Sequence, residues 1–178
     1  MDAMKAAVIY GPGGPDVLKI ESRPIPKPQA GEVLIQVKAF GLNRSELFTR
    51  QGLSPGVLFP RVLGIEAVGL VQEAPGGEFT KDEIVATAMG GMGRQFDGGY
   101  AEYTCVPASQ VQVIKTSLAW ETLGALPATD GLGLAVQVAA SRQRRAPADP
   151  RWHDVRWIGR SGNWQKSWGN RCIDDPQV

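Results

Sequence analysis

The histidine and cysteines that could serve nucleophilic or metal chemistry number three, and they are scattered. The single histidine, His153, has no acid or nucleophile near it in sequence, so it supports no catalytic claim. Cys105 and Cys172 lie far apart with no motif around either, and no disulfide framework is expected. The run Met89-Gly90-Gly91-Met92-Gly93 is glycine-rich. Neither a lysine-threonine pair nor a helix start follows it, so it reads as a loop and not as a phosphate cradle. Aromatic chemistry gathers late in the chain. Trp152, Trp157, Trp164 and Trp168 are four of the five tryptophans, and they stand among Arg, Gly, Ser and Asn. Composition alone gives two readings of that stretch: a disordered tail or an arginine-rich segment that stacks RNA bases. The net charge of +1 gives no general argument for a nucleic-acid or membrane partner.

The elements that would position a site come from the first part of the chain. Apolar alternation predicts strands at Met4 to Tyr10, Val17 to Glu21, Glu32 to Phe40, Arg61 to Glu73, Glu83 to Ala88 and Tyr100 to Val106. Turn clusters separate them at Gly11 to Pro15, Pro24 to Pro28 and Pro75 to Gly77. Two short helices are expected, one capped by Asn43 and running through Phe48, the other capped by Ser117 and running through Leu126. Residues 1–129 thus read as one mainly β domain with short helices. Residues 130–178 carry neither a helical nor a strand period and read as an irregular tail. No apolar run approaches the length of a membrane span, and the start lacks the plan of a secretory signal. A soluble, cytoplasmic protein is expected.

Several short motifs recur in a fixed order. They are Lys5-Ala6-Ala7-Val8, Pro26-Lys27-Pro28 with Gly31-Glu32-Val33-Leu34-Ile35, and Gly41-Leu42-Asn43-Arg44-Ser45-Glu46. Pro60 to Gly69, Gly98-Gly99-Tyr100-Ala101-Glu102-Tyr103 and Ala125-Leu126-Pro127 complete the set. Each motif is weak alone, but their order and spacing are specific. From Met4 to about Thr129 the chain resembles the catalytic domain of medium-chain dehydrogenases and reductases, in the zinc-free quinone-oxidoreductase branch. The resemblance implies a chaperonin-10-like (GroES-like) β-barrel. It also implies NADPH as cofactor and hydride transfer to a small quinone or enone, with the cofactor carrying the hard chemistry. Nucleic acid and membrane are not expected partners.

The resemblance bears on metal as well. Zinc-dependent relatives carry a cysteine ligand where Asn43 stands and a histidine ligand where Ile65 stands, and neither residue here offers a thiolate or an imidazole. The four-cysteine structural zinc lobe also has no counterpart, so no zinc is expected. In the zinc-free branch the asparagine matching Asn43 lies beside the nicotinamide and the acceptor oxygen. Asn43 is therefore the expected catalytic residue, and a cofactor-binding one. An amide can donate a hydrogen bond as charge develops on that oxygen, and asparagine also caps helices well; both roles stay open. Phe48 is the second expected cofactor-binding residue. It stands where close relatives often have a tyrosine, and its ring lines the pocket or packs in the core, with core packing favoured. Glu66 either sits near the active site or only ends a strand. Thr80-Lys81-Asp82-Glu83 departs from the family, which usually has a glycine before its acid, and a one-residue loss in the turn is the simplest account.

A complete family member continues after Ala125-Leu126-Pro127 into a Rossmann domain with a glycine-rich turn at the pyrophosphate. Residues 130–178 do not read that way, but their codons read one base later do. Tryptophan has the single codon TGG, and dropping its first base leaves GG plus one base, which always encodes glycine. Trp152, Trp157, Trp164 and Trp168 each become a forced glycine. With permitted codons, Arg151 through Gly169 then reads Gly-Gly-Thr-Thr-Ser-Val-Gly-Leu-Ala-Ala-Ala-Ala-Ile-Gly-Lys-Lys-Val-Gly-Ala, a pyrophosphate turn followed by a small-residue helix. A frame shift near Thr129 or Asp130 is therefore expected, with a truncated, inactive product that does not bind NADPH. The alternative is a non-catalytic binding protein that uses the basic, tryptophan-rich tail.

Overall fold

The computed structural model describes residues 2–125. His153, the four late tryptophans and everything expected of 130–178 lie outside the described residues. The described part is mainly β with short helices, as expected. In chain order it has β1 (Ala3–Ile9), β2 (Lys19–Pro24), β3 (Glu32–Ala39), α1 (Arg44–Arg50), β4 (Arg61–Val62), β5 (Glu66–Glu73), β6 (Ile84–Ala88), β7 (Tyr103–Pro107), β8 (Val111–Val113) and α2 (Trp120–Gly124). Two single 3-10 turns, at Pro15–Val17 and Ala108–Gln110, lead into β2 and β8.

The strands form two antiparallel sheets, one in the order β2-β1-β4 and the other β7-β3-β5-β6-β8. They join where Ala6 bridges Ala101 and the Ala7 N–H donates to the Tyr100 carbonyl at 2.8 Å. Alternation explains which side chains face inward. Val33 and Ile35 of β3, Ala67 and Val71 of β5 and Val85 of β6 meet in the main core with Val106 of β7. Each fully buried valine or isoleucine there contributes about 1.5–3 kcal/mol. A second cluster holds Met4, Ala6 and Val8 against Val62 and Ala101. β5 is apolar on both faces because α2 covers its back: Leu123 packs with Val68 and Ala86.

Four local expectations need correcting. Arg61 to Glu73 is not one strand: Gly64 sits at φ +104°, a conformation a side chain would resist, and splits it into β4 and β5. Ser117 does not cap α2; the helix starts at Trp120 with Ala119 as its cap, where Trp120 and Leu118 rest on the Val68–Leu123 cluster. Thr80 to Glu83 needs no lost residue to account for it. Asp82 itself takes φ +68°, the left-handed conformation a glycine would hold, and aspartate tolerates it better than most side chains. The Thr80 N–H donates to the Glu83 carboxylate at 2.8 Å and closes that turn. Phe48 is not a core residue: it is 39% exposed, because α1 buries its Glu46, Thr49 and Arg50 face.

Candidate active site

The site grows from the start of α1. Asn43 holds the extended backbone of an N-cap, φ −109° and ψ 150°, and Glu46 stands at the third helical position. This is the capping-box spacing. The Asn43 backbone N–H donates to the Glu46 Oε2 at 2.5 Å, and the Glu46 N–H donates to the Asn43 carbonyl at 3.2 Å. The capping box also turns the Asn43 side chain toward the Glu46 N–H, and only its NH2 is left over. The Asn43 Nδ2 is buried with no hydrogen-bond partner, and so is the Ser45 Oγ two residues on. A buried donor without a partner carries a desolvation cost of about 1–3 kcal/mol, and native structures hold few of them.

The turn between β4 and β5 arrives at the same carboxylate. The Ile65 N–H donates to the Glu46 Oε1 at 2.8 Å. Asn43 and Ile65, the two residues that the sequence resemblance sets at metal-ligand positions, are thus brought together by Glu46. A third segment joins them: the Tyr100 hydroxyl donates to the Glu46 Oε2 at 2.7 Å. Burial, and then this bond to a carboxylate, push the Tyr100 phenol well above its ordinary range, so it stays a proton donor. Its ring stacks at a tilt on Phe40, with centroids 4.8 Å apart. Glu66 does not end a strand; it opens β5, buried beside this cluster. Gly41 makes room for it, since a Cβ there would lie 2.0 Å from the Glu66 Oε1.

Phe48 lies one turn along α1 on the exposed side, with the Arg44 guanidinium 5.5 Å from its ring centroid. At such exposure this contact contributes about 0.5–1 kcal/mol. Glu46 and Tyr100 were quoted in the sequence motifs but not singled out as site residues. The Asn-x-x-Glu spacing was the available signal for Glu46. Nothing in the sequence marks Tyr100, which reaches the site only through the bridge between the sheets.

Among the described residues no group of three or more His, Cys, Asp or Glu is placed to hold a metal ion. None of their helices is long and apolar enough to cross a membrane. An open cleft of about 470 Å³, lined among others by Asp2, Gln36, Glu102 and Tyr103, shares no residue with the Asn43 cluster.

Cys105 is no nucleophile. It is half-buried on β7, and its Sγ lies 3.5 Å from the Glu32 Oε2. Burial, then the negative charge of Glu32, push the thiol up to about 12. A raised thiol pKa keeps the sulfur protonated at neutral pH, and only the thiolate attacks. The lower thiolate fraction is partly offset by greater intrinsic nucleophilicity. In a Cys172→Ser background, alkylation of Cys105 by iodoacetamide at pH 8 is expected to run at least about tenfold slower than for a free thiol, and to quicken toward pH 12. Alkylation at the rate of free cysteine would refute this environment.

Residues 29–116 match the alcohol dehydrogenase GroES-like domain. The trans-enoyl reductase tndF of Aspergillus flavipes is 32% identical over 130 residues, covering 69% of this chain and 37% of that protein. Among solved structures, the quinone oxidoreductase from Coxiella burnetii aligns with a TM-score of 0.65 at 26% identity, over 71% of this chain and 42% of that one. A mycobacterial protein complexed with NADPH aligns with a TM-score of 0.62 at 30% identity, over 70% and 36%. The chain spans about a third of the length of the curated relatives it matches.

Proposed function

This chain belongs to the medium-chain dehydrogenase/reductase superfamily through its GroES-like domain, and from that premise we propose that it derives from a zinc-free reductase that passes hydride from NADPH to a quinone or enone. The observation that carries this reading is the Asn43 Nδ2, a buried donor without a partner at the position where zinc relatives carry a ligand. Hydride arriving at an enone or quinone carbon leaves negative charge on the acceptor oxygen. A fixed amide N–H stabilises that charge best when it has no other partner to give up. The Asn43 amide N–H fits this role, and the capping role of Asn43 is met at the same time through the capping box with Glu46.

NADPH, when bound, supplies the hydride; this chain's residues hold and orient. Asn43 donates to the oxygen. Phe48, exposed beside the start of α1, offers an apolar wall for the cofactor in place of the core role its sequence position favoured. Ile65 supplies an aliphatic side chain where a metal ligand would stand, so charge on the acceptor is met by hydrogen bonding alone. Purified protein is expected to carry far less than one zinc per chain. Elemental analysis that finds one zinc per chain would overturn the zinc-free assignment.

On this reading residues 1–129 are the catalytic domain and residues 130–178 an out-of-frame stretch. Support for the second part is the placement of the four forced glycines, which fall where a pyrophosphate turn and its helix belong. On this reading the chain as written is inactive, and its arginines and tryptophans need no function. The coding DNA around Thr129 tests it directly: one base restored near the codon of Asp130 must open a frame with strand and helix periodicity.

A further inference from the structure

We propose that Glu46 is a positioning residue whose carboxylate clamps three separate segments and thereby fixes the aim of the Asn43 amide. The inference rests on the reading of Asn43 given above and names what holds it. A helix cap alone needs one bond, from the Asn43 N–H. Glu46 accepts two more, from the Ile65 N–H and from the Tyr100 hydroxyl. The donors stand 22 and 57 residues beyond the cap, on the β4–β5 turn and at the bridge between the sheets. The carboxylate is only 4% exposed, so water does not compete for these bonds. The Asn43 Nδ2 makes no hydrogen bond of its own. Its direction is therefore set by the rest of Asn43, and both halves of the capping box tie that residue to Glu46.

Chemistry singles out glutamate for this place. Both of its oxygens accept, and all three neighbours donate. Glutamine is isosteric but has one acceptor oxygen, and its NH2 would face an N–H or an O–H. Aspartate is one methylene shorter, too short to meet Ile65 and Tyr100 while holding the cap.

The test uses the full chain labelled with ¹⁵N. The Asn43 side-chain NH2 pair is assigned by its loss in Asn43→Ala. In Glu46→Gln this pair is expected to move toward the position of a free asparagine. Exchange of the Asn43 and Ile65 backbone amides is expected to quicken together by about tenfold or more, the size expected when a buried donor loses its partner. The Ile35 and Val85 amides in the core keep their rates. Faster exchange with an unmoved Asn43 NH2 pair would make Glu46 structural only and overturn the proposal, as would unchanged exchange. If Ile35 and Val85 also lose protection, the variant has unfolded, and Tyr100→Phe carries the test by removing one donor of three. A shift of the Asn43 pair then supports the clamp, and an unmoved pair overturns it. No cofactor enters these measurements, so their failure is separate from a failure of the reductase assignment.

Discussion

NADPH titrated into this chain is expected to give no saturable signal in the micromolar range, and the same titration of a frame-restored chain is expected to saturate there. The difference between millimolar and micromolar dissociation is about 4 kcal/mol. Its source is the pyrophosphate. Two phosphates are held by backbone N–H groups at a glycine-rich turn that opens a helix. Of the glycine-rich runs among the described residues, Gly11 to Pro15 leads only into the single 3-10 turn at Pro15–Val17, and Met89 to Gly93 has the N–H groups of Met89 and Met92 already committed. Met92 is buried in the main core, the Met92 N–H donates to the Met89 carbonyl at 3.0 Å, and the Gln110 Nε2 donates to the Gly90 carbonyl at 3.1 Å. No helix follows it. Restoring one base near the codon of Asp130, with the downstream gene included, should supply the missing turn. Micromolar binding by the chain as it stands would overturn the assignment of 130–178 as out of frame. So would downstream DNA without a continuing frame.

The sequence revealed the strands well where alternation was long. β1, β3 and β6 lie within a residue or two of their expected limits because each presents several inward side chains in register. β8 was missed because it has three residues and buries only Val111, too few for a period to show. The break at Gly64 was hidden by apolar residues on both sides: a turn needs one unusual φ, and hydropathy does not carry it. Asn43 and Ile65 were legible because the motif order placed them. Phe48 was misjudged because its hydrophobicity was weighed without its helix face. Glu46, Thr49 and Arg50 are the buried positions of α1, and two of those three are charged, the reverse of what composition suggests. The buried face exists because Glu46 is met by three donors and because the Arg50 guanidinium donates to the Gly13 carbonyl at 2.6 Å. Apart from the cap itself, such pairing depends on residues 19 to 54 positions away, which no local pattern encodes.

The second large effect belongs to Asn43. In the frame-restored chain, Asn43→Ala is expected to lower kcat for a small quinone or enone by about 10²–10³, the usual cost of losing one donor to a developing oxyanion. The capping role confuses this variant, because replacing a cap by alanine also costs about 1 kcal/mol of stability. Asn43→Ser separates the two. Serine caps as well as asparagine, so the thermal midpoint should stay near that of the parent, yet its hydroxyl is too short to replace the amide at the acceptor. A drop in kcat with an unchanged midpoint and little change in NADPH affinity is the signature of a donor that acts on the reacting oxygen. Asn43→Ser with parental kcat would reduce Asn43 to a cap and remove the observation on which the reductase reading stands. If the parent binds NADPH but reduces neither quinones nor enones, the family membership stands and the acceptor class does not. The buried Nδ2 would then have to meet an oxygen of another kind, and a panel of carbonyl acceptors with Asn43→Ser as the control would find it.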